Sequence, residues 1–457
     1  MFAVMMMYPS HYGSAVGKRY YGEIFNNKLR SEGWRSHSVH ADRSWKACLS
    51  RVNISLVPKE SLVLMRASAR IMGLLESMAS KHYFPSFSTR PFEFKAYAHC
   101  TEMIKDSIIP IVTLTRQSRA ESFSDSIDLV SDASQGRPVI VDFDRTPRPL
   151  TTEAEAADKR RQKAEKRGTP SRDRSKKELA HYAELRRETE QFNAHLSGLK
   201  DPVTGSVSWI RMASAHAGMV PIVRLVSAEA VTAQIQAANA SGIAVAFRID
   251  PEDQLQVGLA GRGLSGLRQP GSAFLILDAG DVRNRVSSAC AAAESAFRSL
   301  RNAAGESFER VRKTLVSGSF PSSSLRDLPR LLPMEEGLLY ERVSGSWQVE
   351  YGDHASLPKR SARSGSNGWF PHVDLTLDGH WRIELEERNS DRTGYGRCAR
   401  ATIASGEWKS RTECWGTSVV KEVADGSTTV GGVKFVVPAA WLSVRANQHI
   451  SRFARDR

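Results

Sequence analysis

Acidic and basic side chains gather at the ends of short apolar runs in this chain. Asp142 and Asp144 close one run, Arg248 and Asp250 another, Asp278 a third, and Glu350 and Asp353 a fourth. Successive side chains on a strand point to opposite faces, so residues two apart can share one face. Asp142 with Asp144, and Arg248 with Asp250, are therefore expected to point the same way. Converging carboxylates of this kind suit a hard divalent cation, and flanking guanidinium groups suit a phosphate or a carboxylate. The chemistry expected of such a ring is metal-assisted phosphodiester cleavage, with Asp142, Asp144, Arg248, Asp250, Asp278, Glu350 and Asp353 as catalytic candidates. Arg90, Arg224, Tyr351 and His354 are the ligand-binding candidates. Two other readings stay open: ligand binding without turnover, and rim charges that only satisfy one another.

The elements that must position these groups are legible as eight apolar runs, at residues 83–87, 108–114, 138–143, 220–226, 243–249, 273–277, 313–317 and 347–351. Most are near-continuously apolar, which marks strands buried on both faces. Helical stretches follow most of them. Pro91 suits a first helical turn, where its missing N–H is no loss, and the stretch 91–104 is expected to be one helix. Ser227 is placed to cap the helix after the fourth run. Strand and helix alternating to a count of eight predict an α/β fold of the (β/α)8 TIM-barrel type. In that fold the strand C-terminal ends form the site. An open doubly wound sheet is the rival. It is disfavoured because no GxGxxG turn follows the first strand. The run GLAGRGLSG at 258–266 is expected to be a flexible loop.

After the eighth run the pattern changes. Val373, Leu375 and Leu377 alternate up to Asp378-Gly379, and Trp381, Ile383 and Leu385 alternate beyond it. That predicts a β-hairpin with a type I′ turn. Helices are expected near 395–404 and 417–424.

The chain has 457 residues and a formal net charge of +14. The charge is uneven: residues 1–77 hold 11 Lys/Arg against 5 Asp/Glu, and residues 158–177 hold 10 against 3. A nearly neutral remainder argues against a general polyanion-binding surface, and nucleic acid is the lesser partner reading. Residues 147–177 are rich in charge and read as an exposed, partly helical insertion. Residues 1–77 lack clean periodicity apart from a helical stretch at 61–78. They are expected to be a basic N-terminal extension, either poorly ordered or the product of a misassigned start with Met78 as the true beginning. The domain proper is then 78–457. Five cysteines at long spacings, without a CxxC pair, point away from a disulfide framework or zinc knuckle. No run of eighteen apolar residues occurs, so no membrane partner is expected and a cytoplasmic location fits best.

The order of several short motifs resembles the phage beta-protein family. Tyr83-Phe84-Pro85-Ser86-Phe87, then Arg90, Glu93 and Ala96, then IIPIVTL, match that family's opening. VPIVRL, AVAFRI, LPRL at 328–331, VEYGDHA at 349–355, CWG at 414–416 and VRANQHISR at 444–452 are further landmarks. The resemblance spans about residues 78–455. The chain departs from it through the insertion at 147–177, and through Asp353-His354 where the family commonly shows Asp-Tyr. Members occur in phages, prophages and bacterial defence loci. The resemblance thus implies a role in phage–host conflict, with a phage or toxin-type protein as partner. It implies no particular reaction. Tyr351-Gly352-Asp353, Arg248 and Asp144 are the positions to test first.

Overall fold

The computed structural model describes residues 82–150, 152–166, 168, 175–202, 204–321, 325, 328–357, 370–386 and 394–455. The expectations for residues 1–77 lie outside the described residues.

Eight parallel strands form one sheet. They are β1 (Phe84–Ser88), β2 (Ile111–Leu114), β3 (Val139–Phe143), β4 (Met219–Pro221), β5 (Ala246–Ile249), β6 (Phe274–Asp281), β7 (Arg312–Gly318) and β9 (Glu350–Asp353). Their order is β4-β3-β2-β1-β9-β7-β6-β5. A parallel bridge between Ile222 and Ala246 joins the two ends, and Val223 N–H donates to Ala246 O at 2.8 Å. The sheet thus curls into a (β/α)8 barrel, as the run of eight predicted. Each of the eight runs supplies one of these strands, with ends shifted by a few residues.

The pleat sorts the side chains. Phe84, Ile111, Ile140, Val220, Ala246, Phe274, Ile276 and Val316 fill the interior and are at most 2% exposed. The alternate residues, among them Val112, Val141, Phe247, Leu275, Leu277 and Leu315, join the core between strands and helices. Gly352 on β9 faces inward. A Cβ there would lie 2.7 Å from Val316 Cγ2 and 2.8 Å from Phe84 O, so only glycine fits the crowded interior.

The helices that follow are α1 (Pro91–Ala98), α2 (Glu102–Asp106), α3 (Ser124–Ser134), α4 (Glu153–Lys166), α5 (Lys176–Lys200), α6 (Thr204–Ser214), α7 (Ala228–Ser241), α8 (Gln254–Ser265), α9 (Val286–Ala304), α10 (Glu306–Arg310) and α11 (Glu335–Ser344). The helix expected over 91–104 is broken in two, because Thr101 takes an extended conformation and caps α2 at Ile104 N–H. Ser227 does cap α7, accepting from Ala230 N–H at 3.1 Å. α4 lies within the charged insertion.

The glycine run expected to be a loop is helical. It lies in α8, which Asp253 caps at Leu255 and Gln256 N–H. Its glycines serve close packing. A Cβ on Gly263 would meet Phe247 Cε1 at 2.4 Å, and one on Gly261 would meet Ala303 Cβ at 2.7 Å.

Beyond the barrel, β8 (Leu331–Pro333), β10 (His372–Thr376) and β11 (His380–Leu385) form an antiparallel sheet of order β10-β11-β8. The predicted hairpin is β10–β11. Its turn differs from the type I′ expected: among the described residues Gly379 has positive φ and Asp378 does not. Behind it lie α12 (Gly394–Ala404), α13 (Trp415–Ala424) and α14 (Pro438–Phe453). Val373, Leu375 and Leu377 face a second core with Val419, Val420 and Trp441. α14 also packs on α1, which ties this lobe to the barrel.

Two substitutions on α8 separate packing from conformational entropy. Gly263→Val should destabilise by about 2–3 kcal/mol through overpacking against Phe247. Gly258→Ala, with open space at its Cβ, should stabilise by about 0.5–1 kcal/mol. Urea unfolding of both variants checks the pair.

Candidate functional site

The barrel's C-terminal mouth is organised by one carboxylate. Asp278 Oδ2 accepts from Arg248 Nη2 at 2.6 Å and from Arg248 Nε at 2.9 Å. Asp278 Oδ1 pairs with His354 Nε2 at 3.0 Å and accepts Gly280 N–H at 3.0 Å. Arg248 Nη2 also reaches Ser86 Oγ at 3.4 Å. A bulge in β6 makes this possible: its register with β7 slips between Asp278 and Asp281. Bulges at strand ends commonly re-aim a side chain in this way. The stretch Asp278–Asp281 is thus the tail of β6, which runs beyond the apolar residues 273–277.

Burial works to raise the Asp278 pKa, but Arg248 and His354 outweigh it and hold the carboxyl well below its usual range. Arg248 is shifted the opposite way: burial lowers it, and Asp278 and then Asp142 more than restore it. The side chains of Arg248, Asp278 and His354 are 20%, 15% and 12% exposed. They form a sheltered, charge-matched cluster that is still open to solvent.

The other predicted residues scatter around or away from this cluster. Asp142 also faces the mouth, but it pairs with Arg145 Nη2 at 3.3 Å. Asp144 and Asp250 are turn caps, accepting Thr146 N–H and Glu252 N–H at 3.0 Å each. Arg90 precedes α1 and lies 3.5 Å from Glu93. Arg224 is buried, and it donates to Leu199 O, Lys200 O and Asp201 O. It satisfies carbonyls at the end of α5, as a cation at a helix C-terminus does. It is therefore a strut and does not present a free ligand-binding group.

Glu350 corrects the sequence reading most. It opens β9 rather than closing it, so it belongs to the barrel's N-terminal end. There it pairs with Arg312, with Nη2 at 2.6 Å, and accepts His82 N–H at 3.1 Å. Arg312, the first residue of β7, lies over the Phe84 ring. Asp142, Asp144, Asp278 and Glu350 thus do not converge. Among the described residues no three His, Cys, Asp or Glu side chains come together in a way that could hold a metal ion. The donor set does not fit the expected divalent cation.

Asp353 and Tyr351 point outward, between the barrel wall and α14. Tyr351 is buried and stacks on Tyr83 and Phe453, with centroids 5.7 Å and 5.3 Å apart. Asp353 accepts Tyr83 Oη–H at 2.5 Å and Ala355 N–H at 2.7 Å, and its other oxygen meets His449 Nε2 at 2.7 Å. His449 Nδ1 lies 2.6 Å from Ser356 Oγ, which accepts Trp381 Nε1–H at 2.8 Å. Burial works to raise the Asp353 pKa, but His449 and Tyr83 bring it below the ordinary carboxylate range.

Serine, imidazole and carboxylate in a row have the composition of a nucleophile triad. Here the serine is 4% exposed and the imidazole 0%. The indole donates to the serine oxygen, which is thereby held between Trp381 and His449. The chain joins β1, β9, β11 and α14 and acts as a structural clamp. The local backbone is strained to make it: Ala355 and Ser356 have φ of 49° and 58°. Such strain persists only where surrounding bonds over-determine it.

His449, Ser356, Trp381, Tyr83 and Glu336 were not among the sequence candidates. α14 itself was not anticipated, because buried Ser443, Arg445, Asn447, Gln448, His449, Ser451 and Arg452 erase its apolar periodicity. Pro438 at its first turn was the usable signal.

This architecture defines a (β/α)8 barrel protein with a charge-matched mouth and an accessory C-terminal lobe. The chain belongs to the Beta protein family, whose model matches residues 83–455. It is 23% identical over 378 residues to Protein beta of Enterobacteria phage P4, covering 81% of this chain and 92% of that protein.

Asp278→Asn should destabilise by about 3 kcal/mol, because it strands the sheltered Arg248 charge. Asp144→Asn should cost under about 0.5 kcal/mol. The Asp278 pKa is depressed on folding, so its contribution is present above its unfolded value and is lost as pH falls below it. The stability gap between wild type and Asp278→Asn should therefore shrink in acid, which denaturant titrations from pH 7 down to about pH 3 would show.

Proposed function

We propose that the protein is a non-catalytic interaction protein of phage–host conflict. It presents the polar mouth of its barrel to a phage or toxin-type partner, which it senses or neutralises. One observation carries this reading: each mouth carboxylate is already committed. Asp278 is saturated by Arg248, His354 and Gly280, and Asp142 is paired to Arg145. A phosphodiesterase working through a metal needs carboxylates free to converge on one ion, and Glu350 is held elsewhere by Arg312. Charge-matched groups that stay partly exposed are instead suited to polar recognition, where complementarity sets specificity more than affinity. The phage origin of the similar Protein beta supports the conflict setting. Among the described residues no helix is long and apolar enough to cross a membrane, which directs attention to partners other than a bilayer core.

Two measurements test the proposal. Titration calorimetry with manganese and with common nucleotides should give no heat. In bacteria expressing the chain and challenged with phages, any change in plating should be lost in Arg248→Ala and kept in Asp144→Asn. Manganese-dependent hydrolysis of a phosphodiester that disappears in Asp278→Asn would overturn it.

A further inference from the structure

Behind β9 lies a second carboxylate that the mouth does not use. Glu336, in the first turn of α11, is 2% exposed. Its one hydrogen-bonding side chain among the described residues is Ser319, whose hydroxyl donates to Oε2. Ser319 Oγ in turn accepts Glu335 N–H at 3.0 Å. Asp353, 1% exposed, is far better satisfied, by Tyr83, Ala355 and His449. No lysine or arginine among the described residues is within ion-pair distance of either carboxylate. α11 packs on both β7 and β9, and Ser319 lies two residues beyond Ser317, the β7 partner of Asp353, so both carboxylates are buried behind the same two strands; Tyr83 from β1 and His449 from α14 bond Asp353 there. Two buried carboxylates with no permanent cation beside them cannot both ionise cheaply, and the worse-solvated one keeps its proton.

We propose that Glu336, Asp353 and His449 form a proton-linked latch that fastens the C-terminal helix to the barrel wall. With a proton on Glu336, Asp353 is the single negative charge and His449 clamps it. When that proton leaves, two like charges share a dry space, and the clamp that holds α14 weakens. The latch lies next to the mouth in the chain, because Asp353 faces outward while His354, its neighbour, bonds Asp278. Loosening α14 would therefore act on the strand that carries a mouth residue.

Burial, then the charge of Asp353, pushes Glu336 from 4.5 up to about 7. The folded value exceeds the unfolded one, so the folded state binds the extra proton between the two. The stability contributed by this group is full below 4.5 and is lost as pH rises through about 7. Asp353 is shifted downward, so its contribution persists across that window and is lost only in acid.

The experiment uses the full chain. Hydrogen–deuterium exchange protection of peptides within 438–453 should fall as pH rises from 5 to 8 in the wild type. One linked proton sets the limit at about tenfold in the opening constant per pH unit. Glu336→Gln, which cannot ionise, should show flat protection and a thermal midpoint that gains on wild type with rising pH. Independently of any variant, carboxyl-¹³C-Glu NMR of the wild type should show one glutamate titrating near neutrality. Parallel pH profiles in wild type and Glu336→Gln overturn the latch. So does a spectrum in which every glutamate titrates in the ordinary range.

Discussion

The alternation of side chains along β9 is the constraint on which the rest depends. Glu350, Gly352 and His354 face into the barrel, and Tyr351 and Asp353 face out. One five-residue stretch therefore serves three places. Glu350 neutralises Arg312 at the N-terminal end, Gly352 admits Phe84 and Val316 in the middle, and His354 completes the mouth. On the other face Tyr351 and Asp353 bind α14. A slip of one residue would exchange the two sets and place Asp353 in the barrel and His354 against the helix. The parallel pairing of β9 with both β1 and β7 excludes that slip.

Charge in this molecule is sheltered in small, closed sets. Arg312 with Glu350, Arg248 with Asp278, and Arg445 with Asp374 at 2.7 Å are each guanidinium–carboxylate pairs of low exposure. Desolvating such pairs costs several kcal/mol per ion in order of magnitude, and only good geometry and extra hydrogen bonds recover it. Their worth is then more in fixing register and orientation than in net stability. Asp353 differs because its partner is an imidazole and a phenol, neither of which is a permanent cation. That difference sets the C-terminal clamp apart from the barrel's own ion pairs.

Much of the barrel was legible in the sequence because buried parallel strands read as near-continuous apolar runs, and most of the eight did. The hairpin was legible from strict alternation about Asp378-Gly379. Arg248, Asp278 and His354 were found as strand-end residues, and they do meet. Strand-end position alone misled where a run's boundary was uncertain. Glu350 was assigned to a closing end, yet β9 begins there, and the two-residue error moved it to the other end of the barrel. Arg224 shows another limit: side-chain direction after a short strand depends on the α5 carbonyls it satisfies, which no local pattern encodes. α8 was misread because glycine lowers helix propensity, while its packing against Phe247 and Ala303 is a tertiary fact.

The family match begins at Tyr83 and runs to residue 455, and those limits bear on which parts of the molecule belong together. Tyr83 is the first residue whose side chain bonds Asp353, and His449 lies within the last turns of α14. A model restricted to the barrel would end near β9; this one extends through the accessory sheet and α14. The barrel and the C-terminal lobe are therefore one inherited unit, with Asp353 bonded to both ends of it. The mouth and the clamp diverge from that single strand, because the pleat sends His354 to a solvent-facing ion cluster and its neighbour Asp353 to a fully buried hydrogen-bond network.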